Sequence, residues 1–249
     1  MSVRLTDHDG VAMLALDRAP ANAFRLEFVR EIRDALSQAA PAGAVVLTST
    51  LSTIFSGGWD LPVLVSFGRD AMDEFVAEYC DLVRQLFVFP APVVAALPGH
   101  AVAGGLILAA TADERLVAAG RAQLGLSEVA LGVPVPRCLY EIFRHGIGPR
   151  AAERLAASGE NLTADAALRI GLVDRVVAPE SLFEEALARA RLLAARSRPA
   201  HAAIKAYARA EALARFDAAR GDDPFLDSWF APEARRRIGE LVEKLTKKN

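Results

Sequence analysis

Two rhythms of apolar and polar positions alternate along the chain. Residues 3–6 and 11–16 read as short strands around the turn Asp7-His8-Asp9-Gly10. Asn22 then precedes a helical pattern, with Phe24, Phe28, Ile32 and Leu36 four residues apart. The β-branched run at 44–48 predicts a buried strand, and a loop with paired glycines follows it, Phe55-Ser56-Gly57-Gly58-Trp59-Asp60-Leu61. A long helix is predicted from about residue 71 to 87, ending before Pro90 and Pro92. Residues 93–97 form another buried strand, which runs into Pro98-Gly99-His100-Ala101-Val102-Ala103-Gly104-Gly105 and an apolar helix up to Thr111. Short strands are expected at 116–118 and 122–125. From Pro136 onward the pattern is mostly helical, with one strand-like interruption at 172–177 between Gly171 and Pro179.

Strand, glycine-bearing turn, helix is thus the recurring theme, and it predicts an α/β fold with largely buried parallel sheets. The pattern changes near residue 180, where helices rich in Ala and Arg take over and run to about 248. The expected organisation is an α/β core over 1–180 and a helical C-terminal region over 181–249.

Composition narrows the chemistry. The 249 residues hold 29 Lys and Arg against 31 Asp and Glu, a net charge of −2, so no basic face for nucleic acid is expected. The N-terminus has no basic segment followed by an apolar run, and the apolar stretch 101–110 is far shorter than the ~20 residues of a membrane span. A cytoplasmic protein with no membrane partner is the expectation. The two cysteines, Cys80 and Cys138, lie far apart and in helical patterns, which argues against a disulfide scaffold or a structural zinc and favours two small core residues in a reducing compartment. The four histidines show no metal-binding spacing, and no phosphate-binding P-loop or nucleophile elbow is present. No metal is expected.

Gly99-x-Ala101-x-x-Gly104 follows a strand and opens a helix, as a dinucleotide-binding turn would. The helix is about two turns long, too short for such a crossover. The turn serves another purpose better: glycines at a strand-to-helix junction leave backbone N–H groups uncovered, at the positive end of a helix, where an oxyanion can be held. Gly57-Gly58-Trp59 is a second such turn. The plainer reading of either is a tight turn and nothing more. Among the carboxylates, Glu128 has the least polar sequence surroundings, which would raise its pKa as a general base requires. Its plainer reading is an acid in the first turn of a helix after Ser127. His100 borders the glycine turn, and packing or hydrogen bonding is its plainer role.

Taken together, these segments resemble the crotonase superfamily, the enoyl-CoA hydratase/isomerase family. Leu16-Asp17-Arg18-Ala19-Pro20-Ala21-Asn22-Ala23-Phe24 resembles the family's N-terminal "L-x-R-P-x-x-N-A" segment. The loops at 55–61 and 98–105 resemble "F-S-A-G-x-D-L" and "G-x-A-x-G/A-G-G". Asp113 falls where the family has its "C-D", and Gly148–Arg154 and 164–177 resemble two later segments. The resemblance covers nearly the whole chain. It implies a spiral of ββα units with a C-terminal helical region for trimer contacts, in a homotrimer or dimer of trimers. It implies an acyl-CoA thioester as substrate, with coenzyme A carried on the substrate and no separate cofactor. The thioester oxygen would be held by the N–H groups of Trp59 and Gly104. Ser56, Gly57, Gly58, Trp59, Asp60, Leu61, Gly104 and Ser127 would line the substrate path.

Hydratases of this family resemble one another in carrying two glutamates, one three residues after the oxyanion glycine and one at the position of Glu128. Here the first position is Ile107. A single glutamate suits a proton shift between carbons, and the 125–132 segment is similar to the mitochondrial type of Δ3,Δ2-enoyl-CoA isomerase. The resemblance therefore implies isomerisation of a 3-enoyl-CoA with Glu128 as acid–base residue. Hydration, thioester hydrolysis and non-catalytic acyl-CoA binding are the alternatives.

Overall fold

A computed structural model of the chain describes residues 2–221 and 223–247. Ten strands and eleven α-helices follow in the order β1 (Val3–Asp7), β2 (Val11–Leu16), α1 (Leu26–Gln38), β3 (Ala44–Ser49), β4 (Ile54–Ser56), α2 (Leu61–Leu64), α3 (Arg69–Phe87), β5 (Val93–Leu97), β6 (His100–Val102), α4 (Gly104–Ala110), β7 (Glu114–Ala118) and β8 (Leu124–Gly125). A 3-10 turn at Glu128–Leu131 leads to α5 (Arg137–Ile147), α6 (Pro149–Ser158), β9 (Asn161–Leu162), α7 (Ala164–Arg169) and β10 (Arg175–Val177). Then come α8 (Leu182–Ala194), α9 (Arg198–Ala218), α10 (Phe225–Phe230) and α11 (Pro232–Thr246).

The strands build two sheets. The larger has the order β1-β2-β3-β5-β7-β10 and is parallel except for the β1–β2 hairpin. The smaller has the order β4-β6-β8-β9, parallel except at β8–β9. Each turn of the chain lays one strand in the large sheet and the next in the small one, then returns through helix: β3 to β4, β5 to β6, β7 to β8. This is a spiral of ββα units.

Alternation along the buried strands explains the layers. Val45, Leu47, Val93, Ala95 and Leu97 face the main core with α1 and α3, while Ala44, Val46, Val94 and Ala96 face α8 through Leu182, Ala186 and Ala190. Both faces are covered, so the strands read as continuous apolar runs rather than alternating ones. Among the described residues no helix is long and apolar enough to cross a membrane.

Three expectations change. The first helix starts at Leu26, because Phe24 is drawn into a bridge with Trp59 and Asn22 takes a positive φ of 47°. The 98–105 turn contains a strand, β6, and its bend falls on Ala103 at φ 50°. The strand expected at 172–177 shortens to β10, Arg175–Val177, and the C-terminal helices resolve as α8 to α11, with Ser197 capping α9; residues 222 and 248 of that stretch lie outside the described residues.

A buried ionic cluster ties α9 to the sheet. Asp113 accepts the Val93 N–H and Lys205 Nζ on one oxygen, each at 2.7 Å, and Arg209 on the other at 2.7 Å. Burial draws the Lys205 ammonium down to about 8, against the opposing pull of Asp113. Removing the carboxylate strands two buried cations, so Asp113→Ala is expected to lose about 3–5 kcal/mol of stability. Urea unfolding of the variant beside wild type checks this; a loss below 1 kcal/mol would contradict it.

Candidate active site

The two glycine turns meet at the C-terminal ends of the neighbouring parallel strands β4 and β6, the kind of position where ligands collect in α/β folds. Phe24 donates to the Gly58 carbonyl at 2.7 Å, and Asp60 donates to the Phe24 carbonyl at 2.8 Å. Because strand N–H groups alternate in direction, the N–H of Trp59 points away from Phe24. Among the described residues it has no acceptor, and neither does the N–H of Gly104 at the start of α4. Gly58 makes this juxtaposition possible. It has φ 85°, and a Cβ there would lie 2.9 Å from Ala103 Cβ and 3.3 Å from Gly104 N.

Asn22 holds the loop from behind. Its Oδ1 accepts the Arg18 N–H, and its Nδ2 donates to Ser49 Oγ at 2.7 Å and to the Phe55 carbonyl at 2.9 Å. Ser56 Oγ donates to the Asn22 carbonyl and accepts the Gly58 N–H. The Gly104 peptide is held on its carbonyl side by Tyr79 Oη, which donates to it at 2.5 Å.

A cavity of about 670 Å³ opens over these groups. Gly57, Trp59, Asp60, Leu61, Gly104, Ser127 and Glu128 line it, so seven of the nine residues singled out in the sequence come together. Ser56 and Gly58 do not: both are buried behind the wall, where Ser56 has no exposure and serves the loop's own hydrogen bonds. Asp60 reaches the cavity, but its carboxylate is paired with Arg18 at 3.1 Å. Ile107 lines the wall beside Gly104. Trp59 does not project across the space. Its indole lies against Gly104 and edge-on to Phe75, Tyr79 and Phe225, with ring centres 5.0–5.5 Å apart.

Glu128 starts the 3-10 turn, and Ser127 makes no side-chain cap. Its Oε2 is buried with no hydrogen-bond partner, and no cation pairs with the carboxylate among the described residues. Burial pushes the carboxyl from the usual range up to about 7, opposed only by its own backbone N–H. The site thus offers two peptide donors and one desolvated carboxyl. No group of three or more His, Cys, Asp or Glu able to hold a metal occurs among the described residues. His100 accepts the Gln123 N–H on Nδ1 at 3.1 Å and joins β6 to the segment before β8.

Sequence reasoning missed Asn22 and Tyr79 as supports, and the far wall altogether. That wall is Phe225 and Trp229 from α10 with Leu241 and Leu245 from α11. Spacing along the chain carries no signal that these helices fold back over the glycine turns.

The spiral of ββα units has close counterparts among known proteins. The sequence profile described as Enoyl-CoA hydratase/isomerase matches residues 6–245, and the chain belongs to that family, within the crotonase superfamily. A protein called probable enoyl-CoA hydratase echA17, from Mycobacterium avium, is 36% identical over 202 residues, 79% of this chain and 77% of that one. Rat mitochondrial enoyl-CoA delta isomerase 1 is 32% identical over 185 residues, 71% of this chain and 63% of its own. The crystal structure of human mitochondrial delta3-delta2-enoyl-CoA isomerase superposes with a TM-score of 0.93 over the full length of both chains, at 28% identity.

Desolvation of Glu128 has a measurable signature. Its raised carboxyl pKa means that the folded state holds the proton more tightly than the unfolded state. The associated stability is fully present below about pH 4.5 and is lost as pH rises through about 7. Glu128→Gln never carries the charge, so it should gain on wild type by roughly 3 kcal/mol between pH 4.5 and pH 8. Urea midpoints at those two pH values test this; a difference that does not change with pH would show the carboxylate to be well solvated.

Proposed function

We propose that the protein is a Δ3,Δ2-enoyl-CoA isomerase that uses Glu128 as its acid–base residue. The observation that carries the reading is the solitary character of that carboxyl. It is the one acid on the cavity wall, among the described residues, that lacks a cationic partner, and the same wall carries the apolar Ile107 rather than a second proton carrier for adding water.

The chemistry follows from these groups. The Glu128 carboxylate removes a proton from C2 of a 3-enoyl-CoA. The electron pair moves onto the thioester oxygen, which the N–H groups of Trp59 and Gly104 stabilise as an enolate. The Glu128 carboxyl then returns its proton to C4, leaving the double bond between C2 and C3. A carboxyl near 7 fits both halves of the shuttle: it is a stronger base than an ordinary carboxylate, and it gives the proton back readily. Gly57, Leu61 and Ser127 would line the path of the thioester, and no cofactor is required beyond the coenzyme A that the substrate carries. We place the enzyme in the cytoplasm, where its thiols stay reduced. We take it to assemble as a homotrimer or dimer of trimers; the outward Ile204 and Tyr207 of α9, 66% and 77% exposed, support a subunit contact in the C-terminal helical region.

Turnover of a 3-enoyl-CoA should fall by about 10²–10⁴-fold in Glu128→Gln. The wild-type kcat/KM should rise with pH through about 7 as the base ionises. Equal turnover by the two proteins would refute the assignment.

The mycobacterial relative's name favours hydration as a second reading. On this chain a water would have to be oriented and deprotonated by one carboxyl. Hydration of a 2-enoyl-CoA, followed by loss of the conjugated thioester absorbance, is therefore expected to run at least about 10-fold slower than isomerisation. Faster hydration would reverse the order of the two readings.

A further inference from the structure

The chain's two cysteines lie 58 positions apart in sequence, yet the fold brings them together. Cys80 on α3 and Cys138 in the first turn of α5 are both buried, with their Sγ atoms 2.9 Å apart. That is within roughly 1 Å of the ~2.05 Å length of a disulfide bond. The pair also has an approach. A second cavity, about 280 Å³, is lined by both cysteines together with Asp73 and Val76 of α3, Arg220 and Leu226. The first turn of α5 has a local anchor, since the Arg137 N–H donates to Asp223 at 2.6 Å and Pro136 precedes it.

We propose that Cys80 and Cys138 form a dithiol modification site that reacts with small-molecule disulfides to give an intramolecular disulfide. One cysteine, as thiolate, attacks the reagent R–S–S–R, forming a mixed disulfide and releasing R–S⁻, which takes up the proton. The second cysteine then attacks the mixed sulfur, forms the Cys80–Cys138 bond and releases the second R–SH. The protein loses two hydrogens and two electrons, and the reagent gains them.

In the reduced protein the pair is stable as thiols. The shared hydrogen bond with Cys138 and burial both hold the Cys80 thiol well above the ordinary range, against a smaller opposing effect from Arg220. Exchange proceeds through the thiolate, so alkaline pH favours it. The position of the pair matters because each cysteine neighbours a residue that holds or lines the active site. Tyr79, which holds the Gly104 carbonyl, precedes Cys80, and Leu139, on the wall of the larger cavity, follows Cys138. Phe225 lines both cavities.

The test uses the full-length native protein incubated with oxidised glutathione at pH 8.5, then denatured, alkylated and weighed intact. The expected product is a monomeric chain two hydrogens lighter than the reduced protein, with no glutathione attached and neither thiol open to alkylation. Dithiothreitol should return both thiols. Cys80→Ser and Cys138→Ser, which keep similar volume, should show no such loss. Three results would each overturn the proposal: two alkylatable thiols persisting in wild type after oxidation, a chain carrying two glutathione adducts, or cross-linked chains on a non-reducing gel. Pairing seen only when urea is present during oxidation would overturn it as well, because the native fold is what brings the sulfurs together.

Discussion

Buried backbone polar groups must find partners, and the architecture around the cavity is governed by how that demand is met. The loop from Ser56 to Asp60 cannot extend the sheet, so its groups are paired one by one: Phe24 takes Gly58 and Asp60, Ser56 Oγ takes the Gly58 N–H, and Asn22 takes Phe55. Asn22 does this from the left-handed region with a side chain that is fully buried. On the facing side, Gly125 accepts from Ala103, and Tyr79 caps the Gly104 carbonyl. Among the described residues this pairing leaves the N–H groups of Trp59 and Gly104, both on the cavity wall, without acceptors. The unpaired donors follow from the pairing of everything around them.

Much of the frame was legible from pattern alone. The strands at 44–48 and 93–97 are apolar runs because both faces are covered, and the helix ending at Phe87 stops where prolines follow it. The small sheet was not legible as a sheet, because its strands are two or three residues long and show no period. Phe24 fitted a helical spacing, but pairing with Trp59 overrode it. Glu128 was legible because its chain neighbours are apolar and the fold kept that environment around it. The cavity's far wall was not, since Phe225 and Leu241 meet Glu128 only through the path of the C-terminal helices. The cysteines illustrate the same limit: a separation in sequence gave no hint of two sulfurs in contact.

Charge around the cavity is as informative as its shape. Asp60 and Glu128 both face it, but Arg18 pairs with the first while nothing pairs with the second. One carboxylate is thereby tied into the loop's scaffold by its ion pair, and the other stands desolvated and unpaired among the described residues. Ile107 contributes an apolar side chain, not a second carboxyl, to the same cavity. A single site can thus hold two acids and assign them different work through their immediate neighbours.

The two unpaired donors belong to the main chain, and this has a consequence for how such a site can diverge. A peptide N–H has no side chain to lose, so under the proposed mechanism any substitution but proline keeps both donors and can only tilt them. The walls, by contrast, are ordinary side chains: Ile107, Leu131, Val133 and the α10–α11 face are each open to replacement. Under that mechanism, descendants of this chain would keep the two donors by default and acquire new reactions by changing the side chains around them.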